Sequence, residues 1–278
     1  MSETLRVMTF NIRGFYHPDD GANQWRHREA LNIATIRAAA PDIIGVQEAQ
    51  AGNLKAYHRD LTEYHWTAWP EYGDAPPHEW PAIYWNPGRV QPIDSGGFWL
   101  SETPDRHSRS WETDCIRSAS WIAFRCRQSG ARIVVLNTHL DHRSALARVE
   151  GARLIARQLD ELQHDGAAAI VTGDFNDDPG SPAYEVFAEA GFVDAHVAAG
   201  ESDEAIESFT NHGWRGYPFD RPDDRPRRID WILARDGAAV RAAVRTCGIV
   251  RDAAPPVYAS DHFPVVAEVE IGGSGRAV

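Results

Sequence analysis

The residues able to do chemistry stand at the ends of apolar runs. Asn11 ends the first such run, and Gln47 and Glu48 end the second. His139 and Asp141 follow Ile133–Leu136, and Asp174 and Asn176 follow Ile170–Val171. Asp230 lies inside Ile229–Leu233, and the pair Asp261–His262 immediately precedes the last run. Strand ends in one sheet are neighbours in space, so this pattern predicts that the groups converge on one mouth. Carboxylates with amides and imidazoles are what hydrolysis of a phosphate ester needs. Hard oxygen ligands hold Mg²⁺ or Mn²⁺ and leave positions open for water and phosphate. The ion neutralises phosphate charge and activates water, while imidazoles move protons near neutral pH.

Taken singly, most of these features also have a plain structural reading. An Asn at a strand end forms turns, and Gly173–Asp177 suits a Gly/Asn/Asp turn. Glu48 suits ordinary surface charge, and Ser260–His262 suits a cap or turn. Asp230 is different. Flanked by Ile229, Trp231 and Ile232, its carboxylate is costly to bury unless it is paired or metal-bound. The joint occurrence of all these groups, in this order, is what argues for a site.

The elements that must carry them are short strands and a few helices. Strands are predicted at Leu5–Ile12, Ile43–Gln47, Ala82–Trp85, Ser120–Arg125 and Arg132–Thr138. Further strands are expected at Ala168–Thr172, Arg228–Leu233, Val240–Ile249 and Val265–Glu270. Helices are predicted over Arg28–Ala39, stopping before Pro41, and over Ala145–Gln163 with Ser144 as N-cap. A shorter one follows Pro182 through Ala190. Runs apolar on both faces, such as Ala168–Thr172, call for cover on both sides and favour a layered α/β sandwich. Polar stretches at 70–81 and 200–227 read as long rim loops.

Composition narrows the class. With 278 residues, 43% of them hydrophobic, the chain can bury a sizeable core and is not disordered. We expect a single domain over residues 1–278 with an ordered core of about 5–270. No apolar run approaches the ~18 residues that a membrane-spanning helix needs, and no signal peptide is visible. Cys115, Cys126 and Cys247 are odd in number and lack metal-type spacing. Together these features fit a cytoplasmic protein. A formal net charge of −12 argues against a broad basic surface for gripping nucleic-acid backbone.

The motifs together resemble the endonuclease/exonuclease/phosphatase superfamily, the deoxyribonuclease I-like group. The matching segments are MTFNIR around Asn11, Gln47–Glu48, NTHLDH around His139, GDFND around Asp174 and Asn176, RRIDWIL around Asp230, and SDHFPV around Asp261 and His262. The resemblance implies a four-layer α/β sandwich of two packed mixed sheets flanked by helices, and Mg²⁺- or Mn²⁺-dependent phosphoester cleavage with one or two ions. It makes Glu48 the principal metal ligand with Asn11 beside it, and puts Asp261 near the metal. Asp174 and Asn176 would orient water and contact the phosphate or a second ion. His262 would be the general base, polarised by Asp230, and His139 would bond a phosphoryl oxygen or assist the leaving group. More loosely, Glu79 would orient that histidine and Arg117 would contact phosphate. His139 points to the branch holding deoxyribonuclease I, sphingomyelinases, inositol-polyphosphate phosphatases and deadenylases. Within it, the segments WLSETPD (Trp99–Asp105), Asn23–Trp25–Arg28 and GSPAY (Gly180–Tyr184) resemble a compact bacterial subgroup.

The substrate expected is a small or exposed phosphate ester. A nuclease on DNA or RNA is the runner-up; a lipid phosphodiesterase or a non-catalytic binding module stands further back. Arg117 and the set Arg221, Arg225, Arg227 and Arg228 are candidate phosphate contacts, though the second set equally suits a solvated loop. Trp80, Trp85, Trp111 and Trp214 suit a stacking wall or, more simply, core and rim packing. Oligomeric state and the choice between monoester and diester are not encoded in these motifs.

Overall fold

The computed structural model describes residues 2–69, 79–202, 208–217, 227–251 and 253–273. The chain opens with β1 (Ser2–Asn11), α1 (Trp25–Ala39), β2 (Ile43–Ala49), α2 (Ala51–Asp60), β3 (His65–Thr67), β4 (Trp80–Trp85) and β5 (Val90–Trp99). Its middle supplies β6 (Ser118–Cys126), β7 (Arg132–His139), α3 (Ala145–Leu162), β8 (Ala168–Asp174), α4 (Pro182–Glu189), β9 (Val193–Asp194) and the single-turn α5 (Ala195–Ala198). It closes with β10 (Asp230–Arg235), β11 (Val240–Ile249), the hairpin β12 (Ala253–Ala254) and β13 (Val257–Tyr258), and β14 (Val265–Gly273).

Two six-stranded sheets result, ordered β11-β14-β1-β2-β4-β3 and β5-β6-β7-β8-β10-β9. Each has one parallel pair, β1 with β2 and β7 with β8, among antiparallel neighbours. Period-two alternation splits the apolar residues of each strand between two cores. Leu5, Val7 and Ile43 meet Phe124, Ile133 and Ile170 between the sheets. Phe10, Ile44 and Val46 pack outward on Ile36 of α1 and Tyr57 of α2. Leu136, Val171 and Trp231 pack outward on Ile155 of α3 and Phe187 of α4. The layers therefore run helix, sheet, sheet, helix, as the residue patterns and the resemblance implied. No helix among the described residues is long and apolar enough to cross a membrane.

The expected strands and helices form, with ends moved by a few residues. Ser144 caps α3 by accepting from Ala147 N, and Ser181 caps α4 with Pro182 in its first turn. Of the elements not foreseen, two of the longer ones are instructive. β5 contains Pro92, Asp94, Gly96 and Gly97, yet as an edge strand with a register shift at Pro92/Asp94 it tolerates them. α2 is largely polar and starts from a capping box between Gln50 and Asn53.

The sheets are tied together by buried amides. Asn137 of β7 donates from Nδ2 to Val46 O at 2.8 Å and Ala82 O at 2.9 Å in the other sheet. Its Oδ1 accepts from Gln47 Nε2 at 2.7 Å and Thr172 Oγ1 at 3.1 Å. Gln47 Nε2 also reaches Thr9 Oγ1 at 3.0 Å. Gly45 permits this approach, since a Cβ there would lie 2.0 Å from Thr172 Oγ1. Replacing Asn137 removes a hydrogen bond from two buried carbonyls and from the Gln47 amide. Asn137→Ala is expected to lose about 2–4 kcal/mol, read as a lowered urea midpoint.

Candidate active site

Strand register brings the polar ends together. In the first sheet Asn11 pairs with Gln47, setting Glu48 just beyond. In the second, His139 pairs with Asp174 and Asp174 with Asp230, one row across three strands. His262 enters through a bridge to Asn211 just before β14, whose Val265 faces Thr9. The groups thus converge as expected, but from two sheets, and the mouth lies between them.

Asn11 Nδ2 donates to Glu48 Oε1 and to Asp174 Oδ2, both at 2.8 Å, tying the halves of the mouth together. His139 Nε2 lies 3.4 Å from Asp174 Oδ2. His262 Nδ1 contacts Asp230 Oδ2 at 2.8 Å, and its Nε2 lies 2.9 Å from Asn211 Nδ2 and 3.9 Å from Asp174 Oδ2. Asn176 sets Nδ2 2.9 Å from His139 Nε2 and 3.0 Å from Leu140 O. Asp261 lies at the same mouth, 3.8 Å from Arg13 Nη1. Glu48 and Asn176 both hold left-handed backbone, φ 59° and 51°, which costs a non-glycine residue on the order of 1–3 kcal/mol. At Glu48 this coincides with a register shift between Val46 and Ala49 that aims the side chain into the mouth.

The donors suit a divalent cation. Ligand atoms of Glu48, His139 and Asp174 lie within 4.8 Å of one another, as do those of Asp174, Asp230 and His262. Asp230 Oδ1 is buried without a hydrogen-bond partner among the described residues. Such a crowd of buried carboxylates wants positive charge. Burial, reinforced by Asp230, pushes Asp174 up to about 7. Burial also raises Glu48, but the Asn11 amide and the Arg13 and His262 charges counter it and hold the group below the ordinary carboxylate value. Burial and the neighbouring Arg117 keep His139 neutral, well below the ordinary imidazole range. Burial opposes a charged His262 too, yet Asp230, Asp174 and Asp261 outweigh it and raise its pKa well above that range.

Residues 8–262 match the family model of the Endonuclease/Exonuclease/phosphatase family. The chain belongs to that family. Its members are phosphoesterase hydrolases. Among solved structures it is similar to the endonuclease/exonuclease/phosphatase of Bacteroides vulgatus, at 28% identity and TM-score 0.83 over 96% of this chain and 98% of that one. It is likewise similar to the mannosyl-6-phosphatase Bt3783 of Bacteroides thetaiotaomicron, at 28% identity and TM-score 0.82 over 95% and 99%. The 3'-5'-exoribonuclease subunit Ccr4 of Emericella nidulans is 21% identical over 231 residues, 62% of this chain but 34% of that longer protein.

Around this family site the structure sorts the outer candidates. Arg117 stands between His139 and Glu79, with Nη1 3.1 Å from His139 Nδ1 and 3.6 Å from Glu79 Oε2. An arginine only donates, so His139 Nδ1 accepts from it, while Nε2 lies between the Asn176 amide and Asp174 Oδ2. Burial, and then Glu48, lift Glu79 to about 7, and its carboxylate faces Arg117 rather than His139. Arg228 corrects an expectation: it is buried in an ion pair with Asp194 at 2.7 Å and is no substrate contact. Arg227 bonds Asp178 instead, while Arg221 and Arg225 fall outside the described residues. Trp214 is half-buried with its ring 5.5 Å from the Arg28 guanidinium. Trp85 belongs to the core between the sheets, while Trp80 and Trp111 pack against the outer cores.

Three supports were not assigned a place at the site from the residue pattern. Arg28 is fully buried and donates to Asn23 O, Ile12 O, Arg13 O, Gly14 O and Ala259 O, clamping the backbone on both sides of the mouth. Thr210 Oγ1 accepts from Asp230 N at 3.2 Å, and Ser260 Oγ donates to Asn11 O at 2.7 Å. The Trp99–Asp105 segment serves Arg117, whose carbonyl accepts from Leu100 N at 2.8 Å.

Asp141 anchors the loop before Arg117. Its carboxylate accepts from Thr113 Oγ1 at 2.7 Å, Asp114 N at 3.0 Å, Cys115 N at 3.2 Å, Arg143 N at 2.9 Å and Ser144 N at 2.7 Å. Burial raises its pKa, but those bonds overcome the effect and hold it well below the usual carboxylate range. A depressed carboxylate stabilises above its unfolded pKa, about 3.9, and loses that contribution as pH falls through the folded value. Asp141→Ala is therefore expected to cost about 2–4 kcal/mol at neutral pH. The gap to wild type should close as pH falls below about 4 in urea titrations at several pH values.

Proposed function

We propose that the chain is a divalent-metal-dependent phosphoesterase acting on a small or exposed phosphate ester, with His262 as general base. The Asp230–His262 pair at 2.8 Å, facing the carboxylate floor of Glu48 and Asp174, carries the reading. His262 Nδ1–H donates to Asp230, which fixes the ring and turns Nε2 toward the mouth to take a proton from water. His139 faces a phosphoryl oxygen or the leaving group, with Arg117 against its Nδ1 and the Asn176 amide against its Nε2. Glu48 and Asp174 would hold Mg²⁺ or Mn²⁺, with Asp261 and Asn11 shaping the pocket around them. When bound, the ion neutralises phosphate charge, lowers the pKa of its water and, by cancelling carboxylate charge, eases deprotonation of His262.

A small substrate is supported by the formal net charge of −12 and by the mannosyl-6-phosphatase, whose likeness spans nearly the whole chain. That neighbour also favours a phosphomonoester. Free Cys115, Cys126 and Cys247 support a cytoplasmic setting.

The test strips the protein with chelator and restores Mg²⁺ or Mn²⁺. Rates are then compared on p-nitrophenyl phosphate, bis-p-nitrophenyl phosphate and a labelled oligonucleotide. Metal-restored turnover of the small esters is expected, with little oligonucleotide cleavage; the reverse pattern makes the enzyme a nuclease. His262→Ala and Asp230→Asn should each lower kcat by roughly 10²–10⁴ with folding intact. Wild-type turnover in His262→Ala, under conditions where chemistry limits the rate, means another group is the base.

A further inference from the structure

His17 is a third imidazole at this mouth, and no step of the proposed reaction uses it. It precedes the 3₁₀ turn Pro18–Asn23, and its segment is firmly placed. Tyr16 N donates to Gln50 Oε1 at 2.8 Å, Arg13 pairs with Asp20 at 3.1 Å, and Arg28 clamps Arg13 and Gly14. His17 Nε2 is buried and has no hydrogen-bond partner among the described residues. It points at Glu48 Oε2 across 3.8 Å, too long for a hydrogen bond. Two ligand bonds of about 2.1 Å on one ion separate the ligand atoms by about 3–4.2 Å, and this gap falls in that span. A Glu79 carboxylate oxygen completes the group, all three atoms lying within 4.8 Å of one another.

Glu48 has an oxygen for each side. Its Oε1 meets Asn11 Nδ2 on the Asp174 side, and its Oε2 faces His17. We propose that His17, Glu48 and Glu79 form a second cation site, bridged by Glu48 to the first. The proposal rests on the reading that Glu48 holds the catalytic ion. One imidazole and two carboxylates make a mixed nitrogen and oxygen donor set, which suits Mn²⁺ better than Mg²⁺.

The experiment titrates chelator-stripped full-length protein with Mn²⁺, by calorimetry and by electron paramagnetic resonance. Wild type should take up about two ions per chain, with spin coupling through the shared carboxylate, and His17→Ala about one, with an uncoupled six-line spectrum. Glu79→Gln should behave as His17→Ala does. Unchanged thermal midpoints of the metal-free variants would separate this loss from misfolding. One ion in both wild type and His17→Ala overturns the second site and leaves the first. Two ions in both overturn the assignment to His17. No ion in wild type overturns the metal-dependent reading itself.

Discussion

The Asn137–Gln47 amide pair sets the geometry on which the mouth depends. Each sheet carries half of the polar groups, and apolar packing between sheets has no directional preference that would hold the halves within hydrogen-bond distance. Asn137 supplies direction by using both of its donors and both lone pairs, three of these contacts reaching the opposite sheet. Side chains two apart on a strand share a face, so Thr9 lies under Asn11, Asn137 under His139 and Thr172 under Asp174. The amide and hydroxyl layer is therefore the floor of the ionisable layer. A slip of either sheet breaks buried hydrogen bonds before it separates Glu48 from Asp174. Position in the mouth is inherited from the layer beneath.

On that floor the chain concentrates what is costly elsewhere. Buried carboxylates face one another, and Glu48 and Asn176 hold left-handed backbone. Such features persist only where surrounding contacts over-determine them. The surroundings do so here by several independent routes. Arg28 ties the loop after β1 to Ala259, Ser260 Oγ bonds Asn11 O, and Thr210 holds the amide of Asp230. Each support acts on backbone, leaving the side chains above free to meet ligands.

This division of labour explains how far the sequence could be read. Alternating apolar residues locate strand ends, and the joint occurrence of carboxylates and imidazoles at several ends argues for a site where each one alone would suit a turn or cap. Asp174, Asp230 and His262 were therefore visible, and Asp230 most clearly, because its neighbours are all apolar. Asn137 was hidden inside a strand, where a lone amide in NTHLDH looks incidental until the facing sheet is present. Arg28 read as part of a subgroup motif, but its partners are carbonyls, which have no residue identity. Arg228 misled for the converse reason. It stands beside Asp230 in a basic stretch, yet a residue at a strand entrance can point either way, and Asp194 from β9 captures it. Register and loop path, not residue type, decide such cases.

The same pairing bears on substrate choice. Among the described residues, the arginines around the mouth are already engaged: Arg13 with Asp20 and Asp261, Arg117 with Glu79, Arg148 with Asp177, and Arg227 with Asp178. An arginine held by a carboxylate still donates to phosphate, but it adds little net positive field. With His139 neutral and acidic groups in excess, the mouth has no strong attraction of its own for a polyanion. On the proposed reading, attraction comes from a cation at Glu48 and Asp174, a short-range and point-like source. Such a source captures one phosphate group and gives no advantage to a long backbone whose other phosphates meet an acidic surface. This supports the small-ester reading and explains why a chain with a net charge of −12 can retain a phosphoesterase mouth.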